Sequence, residues 1–388
     1  MSRLGHDVTV LTRYPTGFVP VGEGAVPTTE ILNGVKVVRV SNFSSSSWLP
    51  LRALDQCAVF LRVLWHLLRS KSPDAVLVSS PPLPLTLAAI IKKKLHGTPY
   101  VIHLHDLYPQ TAIDLGMLKN RAVVGLLRCF ERVAYRNSAA IVAAAPATLR
   151  FLEKYAFLLG KRVTLVHNFV NLRHCEDTNR SVAFRERLQM GREYLILYAG
   201  LMGYAQDMDL ILECARRCRH RKNWRFVLAG DGPRAGQVRA AAAAWPNIQF
   251  VGCLPNQEYF DALQAADVCL VVLDRALQVP AVPGKVPTIM ASGKPFVASV
   301  PEGNDTRGVA TESQSGLVIN AGNADELIEA LDLLYRNPDL RQAMGARGKA
   351  YAHQHFSLDG ALVKFERELE LAAGNPLAAK PVHKVFDY

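Results

Sequence analysis

The residues able to do chemistry fall in four short stretches of this chain. His103-Leu-His105-Asp106-Leu-Tyr108-Pro109-Gln110 places two imidazoles and a carboxylate at the end of an apolar run that starts at Tyr100. Polar groups at the C-terminal end of a buried strand are costly unless used, so His105 or Asp106 is a candidate for proton transfer or substrate orientation. His103 and His105 share one strand face. The alternative makes the histidines hydrogen-bonded fillers and Asp106 a helix cap. Ala199-Gly200-Leu-Met-Gly203-Tyr-Ala-Gln206-Asp207 and Gly230-Asp231-Gly232-Pro233 each follow an apolar run. Glycines in a strand-to-helix turn let backbone amides reach a diphosphate, the role open to Gly200 and Gly203. A tight turn uses the same residues, and Asp-Gly and Gly-Pro form turns wherever they occur. The fourth stretch runs from Pro283 through Gly284, Lys285 and Thr288 to Gly293 and Pro295. Gly284 lets backbone approach a ligand, Lys285 adds a positive charge, and the free N–H groups of a first helical turn favour an anion. Gly293 then ends that helix before an apolar strand. The competing reading of Lys285 is a solvated surface lysine on an ordinary turn.

Positioning such residues takes strands and helices in alternation, which this chain shows almost throughout. Strands are predicted at 8–11, 35–40, 75–79, 100–104, 140–143 and 163–166, with long amphipathic helices at 51–70 and 121–136. Pro81-Pro82-Leu-Pro84 opens another helix, and 42–48 reads as a loop. A polar segment through Ser181 carries neither period, and the pattern then restarts with strands at 195–198, 225–229, 248–250, 268–273, 295–299 and 316–319. Helices are predicted at 208–219, 236–244 and 259–265, then across most of 324–354 and over 360–372, before a loose tail at 374–388. Such alternation predicts an α/β protein with parallel sheets covered on both faces. A length of 388 residues exceeds what one core usually supports, so two doubly wound domains are expected, residues 1–172 and 173–356. Strand C-terminal ends would face the cleft between them.

Hydrophobic residues at 49% and charged ones at 20% exclude a disordered chain. A formal net charge of +11 asks for an anionic partner: a phosphorylated metabolite, a membrane surface or nucleic acid. The basic residues are dispersed and no nucleic-acid motif is present, so nucleic acid is set aside. Seven cysteines without a Cys-x-x-Cys pair read as packing or surface thiols in a reducing cytosol, not a zinc site or disulfide framework. No apolar run approaches the roughly 18 residues of a membrane span, and no signal peptide is seen, so a cytoplasmic location is expected. Met1-Ser-Arg-Leu-Gly5 reads as a helix end capped by glycine, which predicts a natural start further upstream.

The stretches gain weight from their order. Gly5-His-Asp-Val-Thr-Val-Leu-Thr12, His105-Asp-Leu-Tyr-Pro109, Asn168, Gly200-x-x-Gly203-x-x-Gln206, Gly230-Asp-Gly-Pro233, Asn247-Ile-Gln-Phe-Val-Gly252, and Pro283-Gly-Lys285 with Ala291-Ser-Gly-Lys-Pro295 follow one another along nearly the whole chain. Together they resemble retaining GT-B glycosyltransferases of family 4, nearest the branch that builds bacterial surface polysaccharides and transfers N-acetyl-fucosamine or related sugars. The resemblance implies two Rossmann-like domains, a UDP-, GDP- or dTDP-sugar bound mainly by the second, and an acceptor met by the first. It also implies a final helix, 357–373, that crosses back to the first domain. No metal or cofactor is implied, because basic side chains, amides and a helix N-terminus stabilise the leaving diphosphate. On this reading Lys285 neutralises the leaving group, and His105 or Asp106 sits against sugar or acceptor. Gly200, Gly203, Gln206, Gly230, Asp231, Gly232, Pro233, Gly284, Thr288 and Asn168 would line the donor.

The chain departs from the family pattern. Leu201 and Asp207 stand where many members carry Arg and Lys, leaving Lys285 more phosphate charge to balance. Thr288 takes the place of the second glutamate of Glu-x7-Glu, so ribose recognition passes to a hydroxyl, or to Glu302 or Asp305. Two other readings stay open: a catalytically impaired GT-B protein that binds sugar nucleotides, and a sugar-nucleotide epimerase of the same architecture. The polysaccharide branch implies a polyprenyl-diphosphate-linked saccharide acceptor. Arg52, Arg62, Arg69 and Lys71 flank a helix bearing Phe60 and Trp65, and Lys92-Lys-Lys94 lies in the same half, which suits peripheral contact with an anionic membrane. A core-packed helix with solvated charges is the alternative.

Overall fold

A computed structural model describes residues 1–14, 27–40, 49–80, 83–175, 181–277 and 282–375. The expected loop at 42–48, Pro81, Pro82 and tail residues 376–388 lie outside the described residues.

The predicted strands of the first half form, with ends displaced by a residue or two, but they divide between two sheets. β1 (Thr9–Arg13) pairs in parallel with β3 (Val35–Val40), and β3 pairs antiparallel with β2 (Thr29–Leu32). β2 was not anticipated, and it adds one antiparallel edge strand to the parallel sheets that were expected. Its cause is local: Asn33 and Gly34, both at positive φ (50° and 79°), make a two-residue turn that sets Leu32 opposite Val35. The second sheet is fully parallel, ordered β4 (Val76–Ser80), β5 (Tyr100–Leu104), β6 (Ala140–Ala143), β7 (Val163–Leu165). Every residue of β5 and β6 is buried, as in a strand covered on both faces.

The second half holds a six-stranded parallel sheet. Its strands are β8 (Tyr194–Ala199), β9 (Trp224–Ala229), β10 (Ile248–Gly252), β11 (Val268–Val272), β12 (Phe296–Val300) and β13 (Gly316–Asn320), in the order β10-β9-β8-β11-β12-β13. Alternation along β8 feeds two cores: Leu195, Leu197 and Ala199 point into one layer, Tyr194, Ile196 and Tyr198 into the other. Short helices at Gln110–Asp114, Pro146–Glu153, Ser181–Arg187 and Thr306–Ser313 were not anticipated. The second begins with proline at its first position, a start signal present in the sequence.

The helix Leu358–Ala373 packs on the first half, where Ala361 and Phe365 join Val101, Ala140, Val142 and Val166 in one core. Its Glu368, nearly buried, accepts from Arg162 Nε (2.7 Å) and Thr164 Oγ1 (2.6 Å). The outgoing and returning segments lie side by side, with Val170 N–H donating to Phe356 O (2.9 Å) and Leu358 N–H to Val170 O (3.2 Å). The carboxyl ends of the two parallel sheets face each other. Ala147 N–H, just past β6, donates to Asp305 Oδ2, just past β12 (2.6 Å). Asn168 Nδ2, just past β7, donates to Val282 O (3.2 Å).

Candidate functional site

Two glycine turns form one wall. β8 ends in Gly200 (φ 146°), while β9 ends in Gly230 (φ 138°) and, two residues on, Gly232 (φ 145°). The turns touch: a Cβ on Gly230 would lie 1.8 Å from Gly200 O, and one on Gly232 2.5 Å from Met202 O. Only glycine fits such an approach at such φ. Met202 N–H donates to Asp231 O (2.8 Å) and Arg234 N–H to Met202 O (2.9 Å), which ties the two turns to each other. This amends the expectation for the amides. Gly200 N–H already donates to Ala229 O (3.0 Å), and Gly203 N–H to Gln206 Oε1 (3.1 Å). Gly200 and Gly203 therefore shape the turn, and Gln206 is its internal acceptor. Asp231 and Pro233 are exposed at the rim.

Lys285 begins the helix Lys285–Ala291, with Gly284 before it as N-cap. Its side chain does not run into solvent. Nζ lies 3.8 Å from the centroid of the Tyr198 ring, and a Cβ on Gly200 would be 3.0 Å from it. Nζ is buried and has no hydrogen-bond partner among the described residues. Burial lowers its pKa to about 7, with the Cys269 thiol pulling weakly the other way. A cation out of water without an acceptor is unfavourable, and such strained ionisation marks functional sites. The solvated-lysine alternative is therefore overturned.

The remaining expected donor residues brace this wall. Thr288 shares a hydrogen bond with the Tyr259 phenol, which burial holds well above its usual pKa. Asn168, besides bonding Val282 O, stands 4.0 Å from where a Gly284 Cβ would sit. Asp305 is not available for a ribose: its second oxygen accepts from Arg150 Nη2 (2.6 Å) while the first holds Ala147 N–H. Glu302 stays exposed.

His105 and Asp106 stand on the opposite side, at the end of β5, where His105 N–H donates to Ser80 O (3.0 Å). His103 is buried, its ring 3.9 Å from that of His105 and 4.8 Å from Phe365 on the returning helix. Burial, helped by the charge of His105, pushes His103 down to about 3, so it is a neutral packing residue. His105 and Asp106 reach solvent, yet neighbouring protein partly desolvates both. His105 is pushed below the ordinary imidazole value despite Asp106, and Asp106 above the ordinary carboxyl value despite His105. His105 is thereby biased toward the neutral form, which can accept a proton.

Other expectations resolve around this site. Lys92 is buried, donating to Ser70 O (3.3 Å), and Lys93 donates to Asn137 O (2.7 Å), so that basic run is not the free surface patch expected. No helix among the described residues is long and apolar enough to cross a membrane. Among them, the group able to hold a metal is His6, Glu366 and Glu370, whose ligating atoms lie within 4.8 Å of one another. It joins the first turn of the chain to the returning helix, away from the glycine turns, and His6 Nε2 is already paired with Glu366 at 2.7 Å.

Two α/β halves whose strand carboxyl ends face each other across such turns define the GT-B fold. Residues 1–168 match the glycosyl transferase 4-like domain and residues 193–337 match glycosyl transferases group 1, so the chain carries one domain of each kind, in that order. The chain is 23% identical over 252 residues to the probable glycosyltransferase WbjE of Pseudomonas aeruginosa, covering 64% of this chain and 62% of that one. It is 25% identical over 350 residues to the putative colanic acid biosynthesis glycosyl transferase WcaI of Escherichia coli, covering 86% and 79%. Among solved structures, sucrose-phosphate synthase of Thermosynechococcus elongatus superposes with a TM-score of 0.74 at 14% identity, covering 96% and 91% of the two chains. Anabaena HepE in complex with UDP-glucose gives 0.66 at 15%, covering 86% of each.

Proposed function

We propose that this chain is a retaining glycosyltransferase that moves a sugar from a nucleoside-diphosphate sugar to a lipid-linked saccharide in surface-polysaccharide assembly. One observation carries the reading: Lys285 Nζ is buried against the Gly200 turn with no hydrogen-bond partner among the described residues. The glycosidic C–O bond to the diphosphate breaks with charge moving onto a phosphate oxygen, and a preorganised cation there is worth more than one in water. The diphosphate would be the acceptor Nζ lacks. A neutral His105 and an Asp106 with raised pKa on the facing side suit orientation of the sugar or the incoming hydroxyl. HepE, solved with UDP-glucose, supports a sugar-nucleotide donor, and the likeness to WcaI, a putative colanic acid biosynthesis glycosyl transferase, supports a polysaccharide setting. Peripheral membrane contact is supported by the helix Leu49–Arg69, where Leu61 and Trp65 are 60% and 57% exposed and Arg69 lies 4.2 Å over the Trp65 ring.

The test is release of nucleoside diphosphate from a panel of UDP-, GDP- and dTDP-sugars, with and without membrane extract, by wild type and Lys285→Ala. Release by wild type alone, with the product anomer unchanged by NMR, supports the proposal. Donor binding without turnover by wild type overturns it in favour of a binding protein. An epimerised donor without acceptor overturns it in favour of an epimerase.

A further inference from the structure

Lys285 is held by something other than a counter-ion. Tyr198, the penultimate residue of β8, is fully buried, and its ring face is the surface that Nζ meets at 3.8 Å. The same side chain reaches forward: its hydroxyl donates to Leu201 O at 2.5 Å, inside the turn that starts at Gly200. Burial holds the phenol well above its usual pKa, so it remains an O–H donor.

We infer that Tyr198 is a positioning residue for the reaction, its ring seating the Lys285 ammonium and its hydroxyl tying that seat to the Gly200 turn. The inference rests on the proposed glycosyl transfer. Chemistry explains why an aromatic ring stands here. A carboxylate would neutralise the ammonium and compete with a diphosphate. An aliphatic side chain would leave the cation with no attractive neighbour and drive it to the neutral amine. The negative face of a ring attracts the charge and leaves its N–H groups free for phosphate oxygens. Because one side chain makes both contacts, cation and turn cannot drift apart without losing one of them.

Among the described residues, the titratable groups facing Lys285 are Tyr198 from β8 and Cys269 from β11. Burial raises both, Cys269 to about 12, so neither ionises while Lys285 titrates. The experiment uses full-length Tyr198→Phe and Tyr198→Leu proteins labelled with 13C-lysine, the Lys285 signal being assigned by its absence in Lys285→Met. Tyr198→Phe keeps the ring, so the Lys285 midpoint should stay within about 0.3 of wild type while kcat falls several-fold through loss of the bond to Leu201. Tyr198→Leu should lower the midpoint by about one unit and kcat by roughly tenfold or more, with donor KM changed less than about threefold. An unmoved midpoint in Tyr198→Leu overturns the seat, and an unchanged kcat in both variants overturns the positioning role. If Tyr198→Leu does not fold, Tyr198→Met carries the same reading. Failure of wild type to turn over any sugar nucleotide would defeat the proposed function, while the NMR titration would still decide whether the ring seats the amine.

Discussion

The carboxylate of Asp305 reaches from the end of β12 into the other half and does two things to one helix: it accepts the backbone N–H of Ala147 and pairs with Arg150, both at 2.6 Å. The helix Pro146–Glu153 has no side-chain cap of its own, since Ala145 stands at its N-cap. The second half thus supplies the missing acceptor at the positive end of the helix. Asp305→Ala should cost about 1–2 kcal/mol in unfolding by denaturant and increase the radius of gyration of the ligand-free protein in X-ray scattering. Most of that loss belongs to the backbone contact, because Arg150 is 61% exposed and an exposed ion pair contributes little. Arg150→Ala should accordingly change stability by less than about 0.5 kcal/mol.

Lys285→Met should lower kcat by about a hundredfold or more, measured as nucleoside diphosphate release. It should also stabilise the ligand-free protein near pH 6 by about 1–3 kcal/mol, since a buried cation with no acceptor among the described residues is replaced by an apolar chain of similar length.

The pH dependence follows from the same lysine. Its folded pKa of about 7 lies below the ordinary lysine value, so between the two the unfolded chain binds one more proton than the folded one. The penalty is fully present below pH 7 and is relieved as pH rises toward about 10, so this group makes stability increase across that window. Tm against pH should show the rise in wild type and lose it in Lys285→Met. Activity runs the other way: kcat/KM, which reports the free enzyme, should fall as pH rises through about 7, while kcat should hold to higher pH because a bound diphosphate favours the ammonium.

Gly230→Ala should be severely destabilising, by roughly 3 kcal/mol or more, because it combines a 1.8 Å clash with the Gly200 carbonyl and a φ of 138°. Gly236→Ala, in the helix Ala235–Ala244 with open space around it, should be neutral or stabilise by about 0.5–1 kcal/mol. Paired thermal melts of the two variants check both.

His103 and His105 should separate stability from chemistry. His103→Ala removes a buried ring against Phe365 and should lower Tm, whereas His105→Ala should leave Tm nearly unchanged and lower kcat/KM about a hundredfold. Equal losses of activity without loss of stability in both variants would remove the distinction drawn between them.

Much of the frame was legible in the residues. The runs that became β5 and β8 are apolar stretches, interrupted in β5 by His103, and burial on both faces produces that pattern. β2 was legible too: Asn33-Gly34 is a strong hairpin signal, and reading hydrophobic runs alone passes over it. The site was harder. That Lys285 opens a helix could be read from its neighbours, but its seat on Tyr198 joins residues far apart in the chain. Asp305 could not be placed for the same reason, since its partners lie 155 and 158 residues away. Amides at Gly200 and Gly203 looked free because a sequence shows donors but not the carbonyls that reach them first.

The last helix returns to the half in which the chain begins, and its approach lies beside the outgoing segment, bridged between Val170 and Ser357. The two halves are consequently joined by a doubled strap. After a single cut in the outgoing segment, the returning helix would belong to the second fragment and would still pack on the first half through Ala361 and Phe365.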